Sequence, residues 1–240
     1  MRVIFLSVIV VLTGTFSSIS GQSVHLQGIQ SEIDKAFYAS FASESALLLT
    51  EIANRLNQDS SSLVIYWRAY AKYYEAIFYL KTNQRDKSNT VLNEGIEALS
   101  KLENKKSEDY ALLSLMQNLS MQFITDGMKL WKLSEEISGH IEKAIKLDSN
   151  NLRAYYVAAS NDFYTPEQFG GGKKAEEYLL KAITLDTQPL NNAALPSWGK
   201  DQAYQMLINL YLKKENKELA KKYLEEAQSI NLLMDVNIED

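Results

Sequence analysis

The chain contains no cysteine in its 240 residues. This excludes disulfides, thiolate metal sites and a lipid-modified cysteine. Histidine is nearly absent: His25 and His140 stand far apart, and no HExxH-type pair exists. There are three prolines, Pro166, Pro189 and Pro196, all in the last third. No proline therefore interrupts a helix between Ser23 and Tyr164, and runs of strand-type alternation are scarce. An all-α fold is expected. Positive charge is also in short supply, with 25 Lys+Arg against 30 Asp+Glu and a formal net charge of −5. That balance argues against nucleic acid as a partner and against polybasic attachment to anionic lipid. After the first residues no long apolar run follows, so no integral membrane segment is expected in the mature chain.

What the N-terminus does contain is a short basic start, Met1-Arg2, an apolar run from Val3 to Leu12, and small polar residues up to Ser20. This is the layout of a signal peptide over 1–20, too short to span a bilayer, which takes ~20 apolar residues. A leader over 21–30, a helical domain over 31–232 and an acidic tail over 233–240 complete the expected organisation. An exported chain without cysteine points to a bacterial envelope protein, periplasmic or secreted.

Helical periodicity predicts one long helix from Ser31 to Asn57, then Leu63 to Leu80, Asp86 to Leu102, Glu108 to Ile124 and Met128 to Leu147. Trp67, Tyr70, Tyr74 and Phe78 share one face of the second of these and are expected in the core, while Tyr156, Phe163 and Tyr164 are expected to be more open. Gly139, inside a helix, is expected where a neighbouring backbone comes close.

The C-terminal third nearly repeats itself. Asn151 leads into Tyr155, Ala158 and Ala159, then Ala175, Leu179 and Ala182; Asp201 leads into Tyr204, Leu207, Ile208 and Tyr211, then Ala220, Leu224 and Ala227. These residues resemble the tetratricopeptide repeat (TPR) family, a helix-turn-helix unit of roughly 34 residues. Ile208 departs from the family's usual small residue, and Asp162 stands at a tyrosine position. Trp67, Tyr70, Ala71 and Tyr74, with Ser88, Leu92 and Gly95, fit an earlier and looser repeat. The resemblance implies a TPR-like α-solenoid of stacked antiparallel hairpins, about nine helices in all. In such a stack one flank of the first helices lines a concave face. By that analogy Arg68, Lys72, Glu75, Arg153, Tyr156, Ser160, Phe163, Gln202, Gln205 and Asn209 are the candidate partner-binding residues, with Arg153, Tyr156, Phe163, Gln205 and Asn209 as anchors.

Candidates for chemistry are weak. Gly170, Gly171 and Gly172 precede a helix, but Glu167 replaces the first glycine of a P-loop and Lys174 replaces its Ser or Thr; a lengthened turn with Phe169 tucked onto the core is the expected reading. The pairs Glu135-Glu136, Glu176-Glu177 and Glu225-Glu226 diverge by about 100° on a helix and cannot flank one substrate. No serine sits in a nucleophile elbow, and the Asn118-Leu119-Ser120 sequon falls in an apolar helix. No catalytic residue and no cofactor are expected. The expected function is non-catalytic binding of another protein or an extended peptide on the concave face. The alternative comes from the extended turn at Phe169–Gly172, which resembles that of periplasmic TPR proteins accompanying TRAP transporters: an accessory of solute uptake that docks a substrate-binding protein, or holds a small apolar ligand, and self-associates.

Overall fold

The computed structural model describes residues 25–187 and 192–236; the expected signal segment 1–20 and Pro189 lie outside them. Ten α-helices are formed, and no strand occurs among the described residues. They are α1 (Ile29–Ala42), α2 (Leu47–Leu56), α3 (Ser62–Lys81), α4 (Arg85–Ser100), α5 (Ser107–Ser120), α6 (Gly127–Leu147), α7 (Leu152–Tyr164), α8 (Ala175–Thr184), α9 (Lys200–Lys213) and α10 (Lys217–Ser229).

The count differs from nine because the long helix expected over Ser31 to Asn57 is two. The apolar period runs on across the break, but the backbone does not. Ser43 turns its hydroxyl back to the Ala39 carbonyl, Glu44 adopts a left-handed φ of 51°, and the Ser45 hydroxyl accepts from the Leu47 N–H. Short hydroxyl side chains offer the backbone local alternatives to the helical ladder, and here they take them.

Consecutive helices pack pairwise as antiparallel hairpins, α1–α2 through α9–α10. The first helices also pack on one another, α1 on α3, α3 on α5, α5 on α7 and α7 on α9, so they make an inner layer, with α2, α4, α6, α8 and α10 outside. The result is a TPR-like solenoid. Its hairpins begin at residues 29, 62, 107, 152 and 200, so most steps exceed the roughly 34 residues of the family. Long helices account for part of the excess, α3 having 20 residues and α6 21.

α5 sits at the centre and is buried nearly all round, as a helix apolar on every side must be. One core cluster runs through α1–α6 and includes Trp198; a second binds α7–α10 through Leu179, Tyr204, Leu207, Tyr211 and Ala220. Both repeat halves seen in the sequence therefore bury the small residues that define them. Gly139 behaves differently from expectation: a Cβ there would meet nothing within 4 Å, so no close approach requires the glycine.

A long-range clasp shapes the inner face. The segment before α9 crosses back to the N-terminal helices. The Gly28 N–H donates to the Ala193 carbonyl at 3.0 Å and the Trp67 indole to Ala194 O at 2.8 Å. The Trp198 indole donates to the Tyr66 hydroxyl at 2.7 Å. Gly199 permits this crossing. Its φ is +108°, and a Cβ would stand 2.8 Å from Leu152 Cδ1 and 3.0 Å from Arg153 Cγ.

Candidate functional site

The inner face closes on a small cavity of about 140 Å³ between α1, α3 and the start of α9. Phe37, Tyr38, Tyr70, Tyr74 and Trp198 give it aromatic walls. Asp34 and Gln30 from α1, Ser197 from the clasp, and Asp201 and Gln202 from α9 supply its polar groups. The helix period places Gln30, Asp34, Phe37 and Tyr38 on one flank of α1, and Tyr70 and Tyr74 one turn apart on α3. The Tyr70 and Tyr74 rings meet edge to face at 4.9 Å with their hydroxyls 3.2 Å apart, and Tyr70 stacks on Trp198 at 5.8 Å. Gln30 holds the clasp in place: its Oε1 accepts from the Ser197 and Trp198 N–H groups at 2.8 and 3.2 Å.

The electrostatics are one-sided. Burial pushes the Asp34 carboxyl up to about 6, helped by the nearby Asp201 and opposed by the Gln30 amide and Tyr70 hydroxyl. Desolvation also raises Asp201, against hydrogen bonds from the backbone at the start of α9. No lysine or arginine is among the cavity's lining residues. Along the groove, Tyr73 and Tyr156 have hydroxyl pKa values well above the ordinary tyrosine range because of burial, and neither hydroxyl has a hydrogen-bond partner among the described residues. Tyr164, 71% exposed, interacts with both.

The residues expected on the concave face are dispersed. Arg68 donates to Asn57, the residue that follows α2, Lys72 pairs with Glu94 of α4 at 2.5 Å, and Glu75 accepts from Thr50 of α2 at 2.7 Å. That stripe of α3 faces the outer layer. Arg153 is buried, 1% exposed, with Nε and Nη2 on the two Glu108 oxygens at 2.6 and 2.5 Å and Nη1 on the Trp198 carbonyl at 3.1 Å. Ser160 is buried, Phe163 is half-buried under the Lys213 ammonium, and Asn209 is exposed. Tyr156, half-buried, sets its ring edge on Trp198, and Gln202 lines the cavity while accepting from the Gly199 N–H at 2.7 Å.

Gln205 holds a peptide-like segment. It lies one turn along α9 from Asp201 and Gln202, on the same flank. Its Oε1 accepts from the Asp235 N–H at 2.9 Å, and its Nε2 reaches the Asp235 carbonyl at 3.5 Å. Leu232, Met234 and Val236 pack on the C-terminal core around it. Residues 232–236 are thus laid against the solenoid.

The glycine turn offers no anion site. Asp162 already caps α8, its Oδ2 accepting from the Lys174 and Ala175 N–H groups at 2.8 Å each, and its carbonyl accepts from Gly172 N. This explains why an aspartate stands where the family has tyrosine. Gly171 is needed because a Cβ would lie 2.0 Å from the Thr165 carbonyl oxygen. Phe169 is 75% exposed and not tucked onto the core. Among the described residues no group of three or more potential metal ligands occurs, and no helix is long and apolar enough to cross a membrane.

Sequence reasoning missed Asp34, Trp198 and Asp201. The one available signal was Trp198 itself, a large aromatic in a linker between Pro196 and Gly199. No family model matches this chain, and no curated protein matches it. Among solved structures, the HusA haemophore from Porphyromonas gingivalis is similar over 77% of this chain and 94% of its own, with a TM-score of 0.53 and 23% identity. YrrB, a TPR protein with an unusual peptide-binding site, is 14% identical over 86% of this chain and 94% of its own, with a TM-score of 0.36. The first likeness supports the helical fold and nothing finer.

Proposed function

We propose that the protein is a non-catalytic binding module that receives an extended segment of another protein along its inner groove. The observation that carries this reading is the hold of Gln205 on the Asp235 backbone. An amide that grips both the N–H and the C=O of one extended residue recognises main chain irrespective of sequence, while rings beside it supply side-chain anchors. The uncommitted hydroxyls of Tyr73 and Tyr156 and the exposed Tyr164 lie in the same inner layer. Export belongs to the same reading, resting on the N-terminal apolar segment, and N-terminal sequencing of protein made in its native host tests it.

Selection from a displayed random-peptide library tests the groove. Peptides enriched on the full chain are expected to lose at least about tenfold in affinity, ~1.4 kcal/mol, on the Gln205→Ala/Tyr164→Ala variant with its helicity unchanged. Removing residues 232–240 is expected to raise affinity by freeing Gln205. Enriched peptides that bind the variant as well as the wild type overturn the reading.

A second reading, capture of haem or a similar planar ligand, is favoured by the row of tyrosines, since a phenolate can ligate iron. The cavity weighs against it. A void of roughly 150 Å³ takes a benzene-sized molecule, and the haem macrocycle is several times larger. Haem's carboxylates would also meet Asp34 and Asp201 where they need cations. A saturable haemin titration, lost in the Tyr73→Phe/Tyr156→Phe variant, would establish this reading in place of the first.

A further inference from the structure

We propose that the cavity between α1, α3 and α9 is a receptor for an organic cation, the ammonium or guanidinium end of a basic side chain on the bound segment. The proposal deepens the peptide reading and rests on it for the source of that side chain. The cavity combines aromatic walls with two carboxylates in its lining. Tyr70, Tyr74 and Trp198 wall it, Tyr38 stands 74% exposed at its rim, and Asp34 and Asp201 are its only ionisable carboxylates. A cation beside an aromatic face is attracted by roughly 0.5–2 kcal/mol depending on desolvation. Asp201 raises the proton affinity of Asp34, and with no basic residue in the lining a positive ligand relieves that repulsion. Size agrees: about 140 Å³ accommodates the end of one side chain and excludes a second residue. Two basic groups near the cavity are committed elsewhere. Arg153 is held by Glu108, and the Lys200 ammonium donates to the Ile183 and Leu185 carbonyls.

The test uses small probes on the full chain, so it does not depend on finding the partner. n-Butylguanidinium and n-butylammonium are titrated while backbone amide NMR signals of Ser197, Asp201 and Gln202 are followed, with n-butanol and butyrate as controls. Both cations are expected to shift these signals saturably. The neutral and anionic probes are expected to leave them in place. Asp34→Asn/Asp201→Asn is expected to weaken the cations by about tenfold or more. Should the double variant fail to fold, Asp201→Asn alone serves, because Asp201 lies at the solvent-exposed start of α9 and asparagine keeps an oxygen for the backbone N–H groups there. Equal shifts from butanol, unchanged affinity in the folded variant, or no saturable shift from either cation overturns the proposal. The two readings fail separately. Enriched peptides that lack any basic residue sink the cation receptor and leave the groove, whereas cation binding without peptide enrichment does the reverse.

Discussion

Replacing Arg153 with alanine separates a partner anchor from an internal strut, and the structure sets the size of the effect. The guanidinium makes a two-pronged pair with Glu108, gives a third hydrogen bond to the Trp198 carbonyl, and lies 5.9 Å from the centre of the Trp198 ring. It joins the starts of α5, α7 and α9 at one point. Burial works against its charge, but the Glu108 carboxylate more than compensates and holds the pKa above that of free arginine. Deleting one member of a buried pair costs roughly 3–5 kcal/mol, mostly from the charge left behind. The Glu108 side chain keeps 20% of its exposure, so water can enter and the lower end applies. The stranded Trp198 carbonyl would add up to ~1–3 kcal/mol, though it overlaps with the first loss. We expect about 3–4 kcal/mol, or a melting temperature lower by ~10 °C in a chain of this length. Urea unfolding followed by far-ultraviolet circular dichroism measures it. Arg153→Met/Glu108→Leu should recover most of the loss, because replacing both members by apolar groups is often near neutral. If Arg153→Ala stays within ~0.5 kcal/mol of wild type, the range of ordinary surface substitutions, Arg153 is no strut.

Three further substitutions have stated outcomes. Glu75 is 3% exposed, its Oε2 has no hydrogen-bond partner, and burial raises its pKa against the help of Thr50 and Lys72. An acid raised in the folded state makes the fold most stable below the ordinary glutamate pKa and less so as pH rises through the folded value. Glu75→Gln should thus stabilise by ~1 kcal/mol at pH 7 and by nothing at pH 4, and an equal gain at both pH values would refute the assignment. Gly139→Ala, with open space around the new methyl, should raise stability by ~0.5–1 kcal/mol in thermal unfolding; a loss would mean the glycine is needed after all. Asp162→Ala should cost roughly 1–2 kcal/mol by leaving the two α8 N–H groups open, and amide exchange should quicken at Lys174 and Ala175 first.

The sequence disclosed the solenoid because its code is local. Tyr155, Ala158 and Ala159 stand at i, i+3 and i+4, and Ala175, Leu179 and Ala182 at i, i+4 and i+7, and the four alanines, small where helices cross, are buried. The break at Ser43–Ala46 escaped because the apolar period continues through it, and no glycine or proline announces the turn. The site escaped for a different reason. Asp34 and Asp201 are 167 residues apart, and what brings them together is the clasp of residues 193–199 on α1 and α3. Nothing in either neighbourhood encodes that pairing.

The same clasp accounts for how the polar stripe of α3 lies relative to this cavity. In an open stack the polar flank of a first helix faces the groove, and Arg68, Lys72 and Glu75 are the polar flank of α3. Here that flank is spent on pairing with the outer layer, through Asn57, Glu94 and Thr50, and α3 turns its tyrosines inward. An inward aromatic flank would expose large apolar area in an open solenoid, which is costly at roughly 25 cal/mol per Å². The clasp covers it: Trp67 and Tyr66 each receive a hydrogen-bonding partner from the 194–198 segment, and Tyr70 receives the Trp198 ring. Only the outer ends of the flank, Tyr73 and Tyr74, stay partly open, and they border the groove. The open part of the groove is therefore what the clasp leaves uncovered. A chain whose residues 193–198 are replaced by a flexible linker should lose both the cavity and much of the N-terminal core, whereas Trp198→Phe, which keeps an aromatic side chain but loses the Tyr66 hydrogen bond and part of the indole's contacts with Tyr70 and Tyr156, should keep the fold and weaken cation binding.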